Sequence, residues 1–331
     1  MILSNRDNAL GCDAMNYLPK DFIETAEGLI FAVVTEDLED HRILCSLRYQ
    51  RTEDGIEKYT TNQANRVLSR HYPHYLYYSS KRDVNLHGVA RDAVVYHHQP
   101  RKRLQELRQH HSDDSIENKL RRLLSLFEEN GLDSRQIGVT GSILIGAHKS
   151  GSDIDLVFYQ VSQFQQARAL IKELLARQLL EPLDESLWLD AYQRRNCSLS
   201  YEEYRWHEQR KFNKAAIEQT KFDISLLTPN RWQDLMHYRK QGRINLKTRI
   251  EGDGHGFDYP ARYSLNHPSV TEVVSYTATY AGQAVSGEEV EIQGQLEVSI
   301  AGNLRIVVGS DREATHEYIK ATPKTSPIQF R

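Results

Sequence analysis

GVTGSILIGAHKSGSDIDLVFYQ, residues 138–160, decides the reading of this chain. It sets Gly141 and Ser142 ten residues ahead of Asp153-Ile154-Asp155-Leu156, and the acids run into an apolar segment. QIGVT reads as a short strand, SILIGAH as a helical turn and DIDLVFYQ as a second strand. Alternate residues of a strand share a face, so Asp153 and Asp155 project together while Ile154 and Leu156 enter the core. Two carboxylates so close raise one another's proton affinity unless a positive charge lies between them. A hard divalent ion such as Mg²⁺, with phosphate and water as further ligands, meets that need. The plainer alternative is a strand end whose solvent face is acidic.

Gly141 allows the backbone to approach a ligand, and Ser142 opens a helical turn whose free N–H groups favour an anion. The Ser142 hydroxyl adds a donor. A phosphate site beside a metal site, on one strand–turn–helix–strand unit, suits the handling of a nucleoside triphosphate. A third acid, Asp223 in KFDISLL (221–227), alternates with Phe222 and Ile224. On a strand next to the first two acids it would complete a set suited to two Mg²⁺ ions. Its alternative is an edge-strand aspartate.

The rest of the chain follows from this centre. SIENKLRRLLSLFEENG (115–131) has the 3–4 apolar spacing of a helix, with Ser115 as its N-cap and Gly131 as its stop. Ser162 is placed to cap a helix over SQFQQARALIKELLARQ. A polar helical stretch is expected over 184–219. Upstream, GLIFAVV (28–34) and RILCSLRYQ (42–50) read as strands, TEDG (52–55) as a hairpin turn and TNQANRVLSRHY as a helix. Downstream, EGDGHGFDYP (251–260) reads as a linker. The alternation in VEIQGQLEVSI (290–300) and the run LRIVVG (304–309) then predict a compact C-terminal sheet or barrel.

The expected organisation is a polar tail at 1–19, an N-terminal α/β domain at 20–111, and a catalytic domain at 112–250. A C-terminal β domain at 258–321 and a tail at 322–331 follow. The fold class is α/β (α+β), with a mixed catalytic sheet and a small antiparallel, OB-like barrel. The length of 331 residues fits two or three domains.

Composition excludes several classes. With 39% hydrophobic and 26% charged residues and a mean hydropathy of −0.62, no run is apolar enough to span a membrane. The first twenty residues lack the apolar centre of a secretory signal. Cys12, Cys45 and Cys197 form no CxxC pair, which argues against a disulfide framework or a cysteine zinc site and fits a cytoplasmic setting. A net charge of −3 argues against a uniformly basic nucleic-acid binder.

Two further segments carry chemistry. YRWHEQRKFNK (204–214) sets basic heads among aromatic faces, a combination suited to a nucleotide or an RNA strand. It equally describes an amphipathic helix packing its aromatics. Lying between the second and third acids, it offers Arg210 and Lys211 as substrate contacts, with Lys149 and Ser152 in the turn before the acids as weaker counterparts. HHQPRKRLQELRQHH (97–111) has four histidines but no ligand framework, and reads as a solvated basic face or a phosphate-binding patch rather than zinc.

Gly141-Ser142, ten residues, Asp153-Ile154-Asp155-Leu156 and the later Asp223 resemble the signature of the DNA polymerase β nucleotidyltransferase superfamily. Thr140 departs mildly from it, standing where an apolar residue is common. Across more of the chain, DFIETAEGLIFAVV, LSYEEYRWHEQRKFN, TKFDI and TYAGQAVSGEEVEIQGQLE resemble uncharacterised predicted nucleotidyltransferases of archaeal type. The resemblance implies transfer of a nucleoside monophosphate from an NTP, such as ATP, to an acceptor hydroxyl. Asp153, Asp155 and Asp223 would then bind two Mg²⁺ ions, or Mn²⁺, with Asp223 also helping to activate the hydroxyl. Gly141 and Ser142 would grip the triphosphate. An RNA acceptor, such as a tRNA-like end, is the first expectation. Nucleotidylation (for instance AMPylation) of a protein or small molecule, and a non-catalytic nucleic-acid-binding module, are the rivals. The choice of NTP, template use and oligomeric state stay open.

Overall fold

The computed structural model describes residues 16–110, 112–229, 237–311 and 314–322. It is a mixed α/β structure with three sheets. Residues 1–15 of the expected tail at 1–19, residues 323–331 of the expected tail at 322–331, Cys12 and His111 lie outside the described residues.

The N-terminal sheet is antiparallel. Its strands are β1 (Phe22–Thr25), β2 (Leu29–Glu39), β3 (Arg42–Thr52), β4 (Gly55–Lys58), β5 (Leu76–Ser79), β6 (Val84–Ala90) and β7 (Val94–His98). They are ordered β5-β6-β3-β2-β1-β7, with β4 on β3. One helix, α1 (Thr61–His71), is fixed by a capping box between Thr60 and Gln63, and buries Ala64 and Leu68 against the sheet.

The central unit contains α2 (Pro100–Gln109), α3 (Ser115–Glu129), β8 (Gly138–Thr140), the single turn α4 (Gly141–Leu144), β9 (Ile154–Phe158) and α5 (Val161–Ala176). It continues with α6 (Glu185–Arg195), α7 (Tyr201–Gln209), β10 (Lys214–Ile217) and β11 (Thr220–Leu226). The sheet order is β10-β11-β9-β8, with β11 and β9 parallel and the other pairs antiparallel. Ile154, Leu156, Phe158, Phe222, Ile224 and Leu226 point from one face into a core shared with α2, α3 and α5. Burying each such side chain contributes roughly 1.5–3 kcal/mol. That leaves the opposite face for the polar residues.

Local details differ from the sequence reading. The N-cap of α3 is Asp114, whose carboxylate accepts from the Ile116 and Glu117 amides, one residue before the expected Ser115. Helix α5 starts at Val161 without a side-chain cap, so Ser162 already lies inside it. The stretch expected to be helical to 219 turns into β10 at Lys214. Helix α2 packs Leu104 and Leu107 into the central core rather than belonging to the N-terminal unit.

The largest difference is at 251–260. Glu251–His255 is the end of an 18-residue strand, β12 (Tyr238–His255), and not a linker. With β13 (Ala261–Leu265), β14 (Val270–Ser275), β15 (Glu289–Ser299) and β16 (Leu304–Val308), it closes a ring in the order β12-β13-β14-β16-β15-β12. β17 (Tyr318–Ala321) adds to β15. The C-terminal unit therefore begins at β12, before the expected boundary. It is not wholly antiparallel, since β14 and β16 run parallel. Tyr238 to Arg249 of β12 pair with Ser299 to Glu289, with a register shift at Gly242 (φ +133°), and beyond them Gly252 pairs with Ser264 of β13.

Candidate active site

The polar face of the central sheet carries a row of four residues, one from each strand. Thr140 pairs with Asp155, Asp155 with Asp223, and Asp223 with Lys214. Register across adjacent strands puts these side chains on one face, about 4.8 Å apart strand to strand. The row lines a cavity of about 420 Å³ bounded by the N-terminal sheet (Ala32, Ser46, Arg48) and by the C-terminal segment Phe257–Tyr259.

Gly141 closes the row at its turn. Its φ is +67°, and a Cβ there would lie 2.5 Å from Oδ2 of Asp155. Only glycine both adopts that conformation and leaves room for the carboxylate. The Thr140 hydroxyl donates to the Lys20 carbonyl at 2.7 Å, tying the preceding segment to β8 and bringing Lys20 to the cavity wall. Leu144 and Ile145, at the end of α4, pack on Phe22, Ile30 and Tyr49, which seats the N-terminal sheet over the site.

Three acids and a group of cations meet here. Lys221, two residues before Asp223 and on the same face, places its Nζ 2.9 Å from Asp153 Oδ2 and 3.1 Å from Asp223 Oδ2. Lys214 Nζ is 2.8 Å from Asp223 Oδ1 and 2.9 Å from Glu208 Oε2. Arg194 reaches Asp153 at 2.9 Å. Arg195 lines the cavity and is attracted by Asp223 and Asp155. The positive charge between the first and third acids is thus a lysine of the chain itself.

Asp155 is treated differently. Among the described residues its carboxylate has no hydrogen-bond or ion-pair partner. Burial, followed by the neighbouring charge of Asp223, raises its pKa above the ordinary carboxylate value. Burial also acts to raise Asp223, but Lys214, Lys221 and Arg195 outweigh it and hold that carboxyl well below the usual range. Lys20 is lowered by burial, partly offset by Asp155.

The donors open to a divalent ion are carboxylates. Asp155 and Asp223, side by side, offer oxygen only, and an unpaired, proton-seeking carboxylate gains most from a hard cation. These two residues fit one. Asp153 is engaged by Lys221 and Arg194, and among the described residues no three His, Cys, Asp or Glu side chains are grouped as a metal site. The third acid joins such a site only if the Lys221 ammonium moves aside.

The other expected site residues fall in three places. Ser142 follows Gly141 in α4 beside the row. Lys149 and Ser152 form the exposed turn before Asp153, with the Lys149 amide donating to Ser152 Oγ at 2.9 Å. Arg210 and Lys211 do not reach the acids. Arg210 makes a bidentate pair with Glu288 at 2.6 Å and stacks 4.3 Å over Trp206. Lys211, 1% exposed, bonds Glu208 and the Thr279 carbonyl. Both bolt α7 to the C-terminal ring. The histidines of 97–98 are paired as well, His97 to Asp21 at 2.8 Å and His98 to Glu24 at 3.1 Å.

The sequence pattern does not single out Lys20, Arg194, Arg195 or Lys221, and it offers Lys214 only as one of the basic heads of 204–214 and not as a partner of Asp223. Lys221 was within reach of it, because strand alternation puts residue 221 on the face of residue 223.

Among the described residues the chain is a mixed α/β structure of three sheets, with the acid–lysine face turned to a cavity between them. The chain belongs to the same family as the uncharacterized protein MJ1086 of Methanocaldococcus jannaschii. The two are 33% identical over 341 aligned positions, covering 91% of this chain and 98% of the relative. No family model matches the chain, and no solved structure matches it. Among the described residues, no helix is long and apolar enough to cross a membrane.

Proposed function

We propose that this chain is a metal-dependent nucleotidyltransferase of the DNA polymerase β type, moving a nucleoside monophosphate from an NTP to an acceptor hydroxyl. The observation that carries the reading is the in-register pair Asp155–Asp223, with Gly141 seated on the Asp155 carboxylate and lysines around both. A site rich in both carboxylates and ammonium groups suits a substrate that is itself an anion carrying cations.

In this reading Lys20, Lys214 and Arg195 bind the triphosphate charge, and the Gly141–Ser142 turn lies against the phosphates. The acceptor hydroxyl oxygen bonds to the α-phosphorus. The bond from that phosphorus to the bridging oxygen breaks, and its electron pair leaves with pyrophosphate. The hydroxyl proton passes to a carboxylate oxygen of the Asp155–Asp223 pair. Mg²⁺ or Mn²⁺, held by Asp155 and Asp223 and joined by Asp153, would supply charge neutralisation at the phosphates. The N-terminal sheet and Phe257–Tyr259 supply two walls of the cavity.

The C-terminal ring order, first-second-third-fifth-fourth, is similar to an OB-like barrel, which supports a nucleic-acid partner by analogy only. The other support for an RNA acceptor, the basic–aromatic helix, is weakened because Arg210 and Lys211 serve the interface. A cytoplasmic setting is part of the same reading, in keeping with Cys45 and Cys197 being free thiols.

The test is to incubate the full chain and Mg²⁺ with each NTP labelled at either the α- or the γ-phosphate, in the presence of cell extract. Transfer leaves α-label on an acceptor and releases γ-label as pyrophosphate. Release of γ-label as orthophosphate with no α-adduct would contradict the reading.

A further inference from the structure

The acid-bearing cavity adjoins a larger one. A chamber of about 750 Å³ lies between the N-terminal sheet and the C-terminal ring. It shares Val34, Ser46, Arg195, Tyr259 and Tyr276 with the first, so the two meet along that wall. At its other side it is lined by Thr61, Asn65 and Ser69 of α1, and Asn65 and Ser69 are exposed. The chamber therefore leads from the surface at α1 toward the acids.

Its chemistry is unlike that of the acid cavity. Arg82 is 2.5 Å from Asp37 and 3.7 Å from Glu39. Arg305 is 3.0 Å from Glu297, each side chain 4% exposed. These charges are balanced within the wall, and the two that remain, Asp311 and Arg195, are opposite in sign. Between them lie hydrogen-bonding neutral groups, Thr35, Asn65, Ser69 and Asn85, and the tyrosines Tyr77, Tyr259 and Tyr276.

We propose that this chamber admits the acceptor, and that the acceptor is a small uncharged hydroxyl compound of nucleoside or sugar size. The proposal rests on the nucleotidyl-transfer reading and adds the substrate class. The volume is that of a site for one small ligand. Neutral amides and hydroxyls match the donors and acceptors of a polyol or a base, and tyrosines offer flat apolar faces with a polar tip. An RNA strand brings one negative charge per nucleotide and draws on unpaired lysine or arginine. The chamber's arginines, apart from Arg195 at the shared wall, are committed to Asp37, Glu39 and Glu297.

The experiment uses the full chain, Mg²⁺ and α-labelled NTPs with three acceptor sets: uncharged nucleosides and monosaccharides, a single-stranded RNA oligonucleotide, and cell protein. Label is expected on a member of the first set. Ser69→Trp, at an exposed helix position facing the chamber, is expected to lower that labelling at least tenfold while Mg²⁺–NTP affinity stays within twofold. Asn85→Trp enters the same space from β6 and is expected to act alike. Label on RNA or protein with none on a small compound overturns this inference and leaves nucleotidyl transfer standing. So does small-compound labelling that both variants leave at the wild-type rate. Absence of any Mg²⁺-dependent turnover with all three sets overturns both.

Discussion

Asp155 and Asp223 are register partners on parallel strands, yet their carboxyls are driven in opposite directions: burial raises Asp155, while Lys214 and Lys221 override burial at Asp223 and lower it. One acid is paired twice over and the other not at all. This asymmetry separates their effects on stability from their effects on activity.

Asp223→Asn removes the counter-charge of buried Lys214 and one partner of Lys221, and is expected to destabilise the fold by about 3–5 kcal/mol. Asp155→Asn removes a charge that burial already disfavours, and is expected to change stability by no more than about 1 kcal/mol in either direction. Denaturant melts of the two variants check the contrast. Equal losses would mean that Asp155 has a partner in solution. Both substitutions are expected to lower transfer by about a hundredfold or more.

Gly141→Ala tests the turn. The left-handed backbone alone costs an alanine roughly 1–2 kcal/mol. Its Cβ must also displace Asp155 Oδ2 from 2.5 Å. A loss of stability of about 1–3 kcal/mol, with at least a tenfold fall in transfer, is expected from melts and initial rates. A fully active variant would show that the Asp155 carboxylate can be placed differently without harm.

Lys221 stands where a cation between Asp153 and Asp223 would sit. Lys221→Met is therefore expected to strengthen Mg²⁺ binding to the nucleotide-free chain about tenfold, a difference of about 1.4 kcal/mol. Calorimetric titration measures it. Weaker or unchanged binding would show that Lys221 does not compete with the ion.

His207 predicts a pH effect away from the acids. Its ring, 1% exposed, has Nδ1 on the Glu203 carbonyl at 2.7 Å and accepts from the Ala321 amide at Nε2. Burial depresses its pKa to about 4 from an ordinary 6.5. Above pH 6.5 the ring is neutral in the folded and unfolded chain alike, and its contribution is complete. As pH falls from 6.5 toward 4 the unfolded chain binds the proton first, so about 3 kcal/mol of stability is lost. His207→Gln is expected to flatten that part of the melting profile. An unaltered slope would place the titration elsewhere.

The central strands were legible because burial on one face writes alternation into the sequence. Ile154, Leu156, Phe222 and Ile224 flank acids that must face away from them, and that pattern needs no tertiary knowledge. The place of Lys214, read only as a basic head at the end of a helical stretch, was hidden for the opposite reason. KAAI is short, follows two helices and alternates little, so only the pairing Lys214↔Asp223 reveals that it is a strand. Lys20 reaches the site through a tertiary bond from Thr140, and no local pattern encodes such a bond. EGDGHG read as a linker because glycine weakens an isolated strand. In β12 the pairing to β13 and β15 outweighs that preference. The basic–aromatic helix had two consistent readings, and Glu288 on the ring decides where Arg210 goes.

The most direct measurement is the rate of pyrophosphate release from NTPs by the wild-type chain and by Asp155→Asn, with and without Mg²⁺, using cell extract as the acceptor source. Release is expected to require Mg²⁺ and to fall to background in the folded Asp155→Asn variant. Wild-type release at equal rate from Asp155→Asn, or no release from the wild-type chain with any NTP, would contradict it.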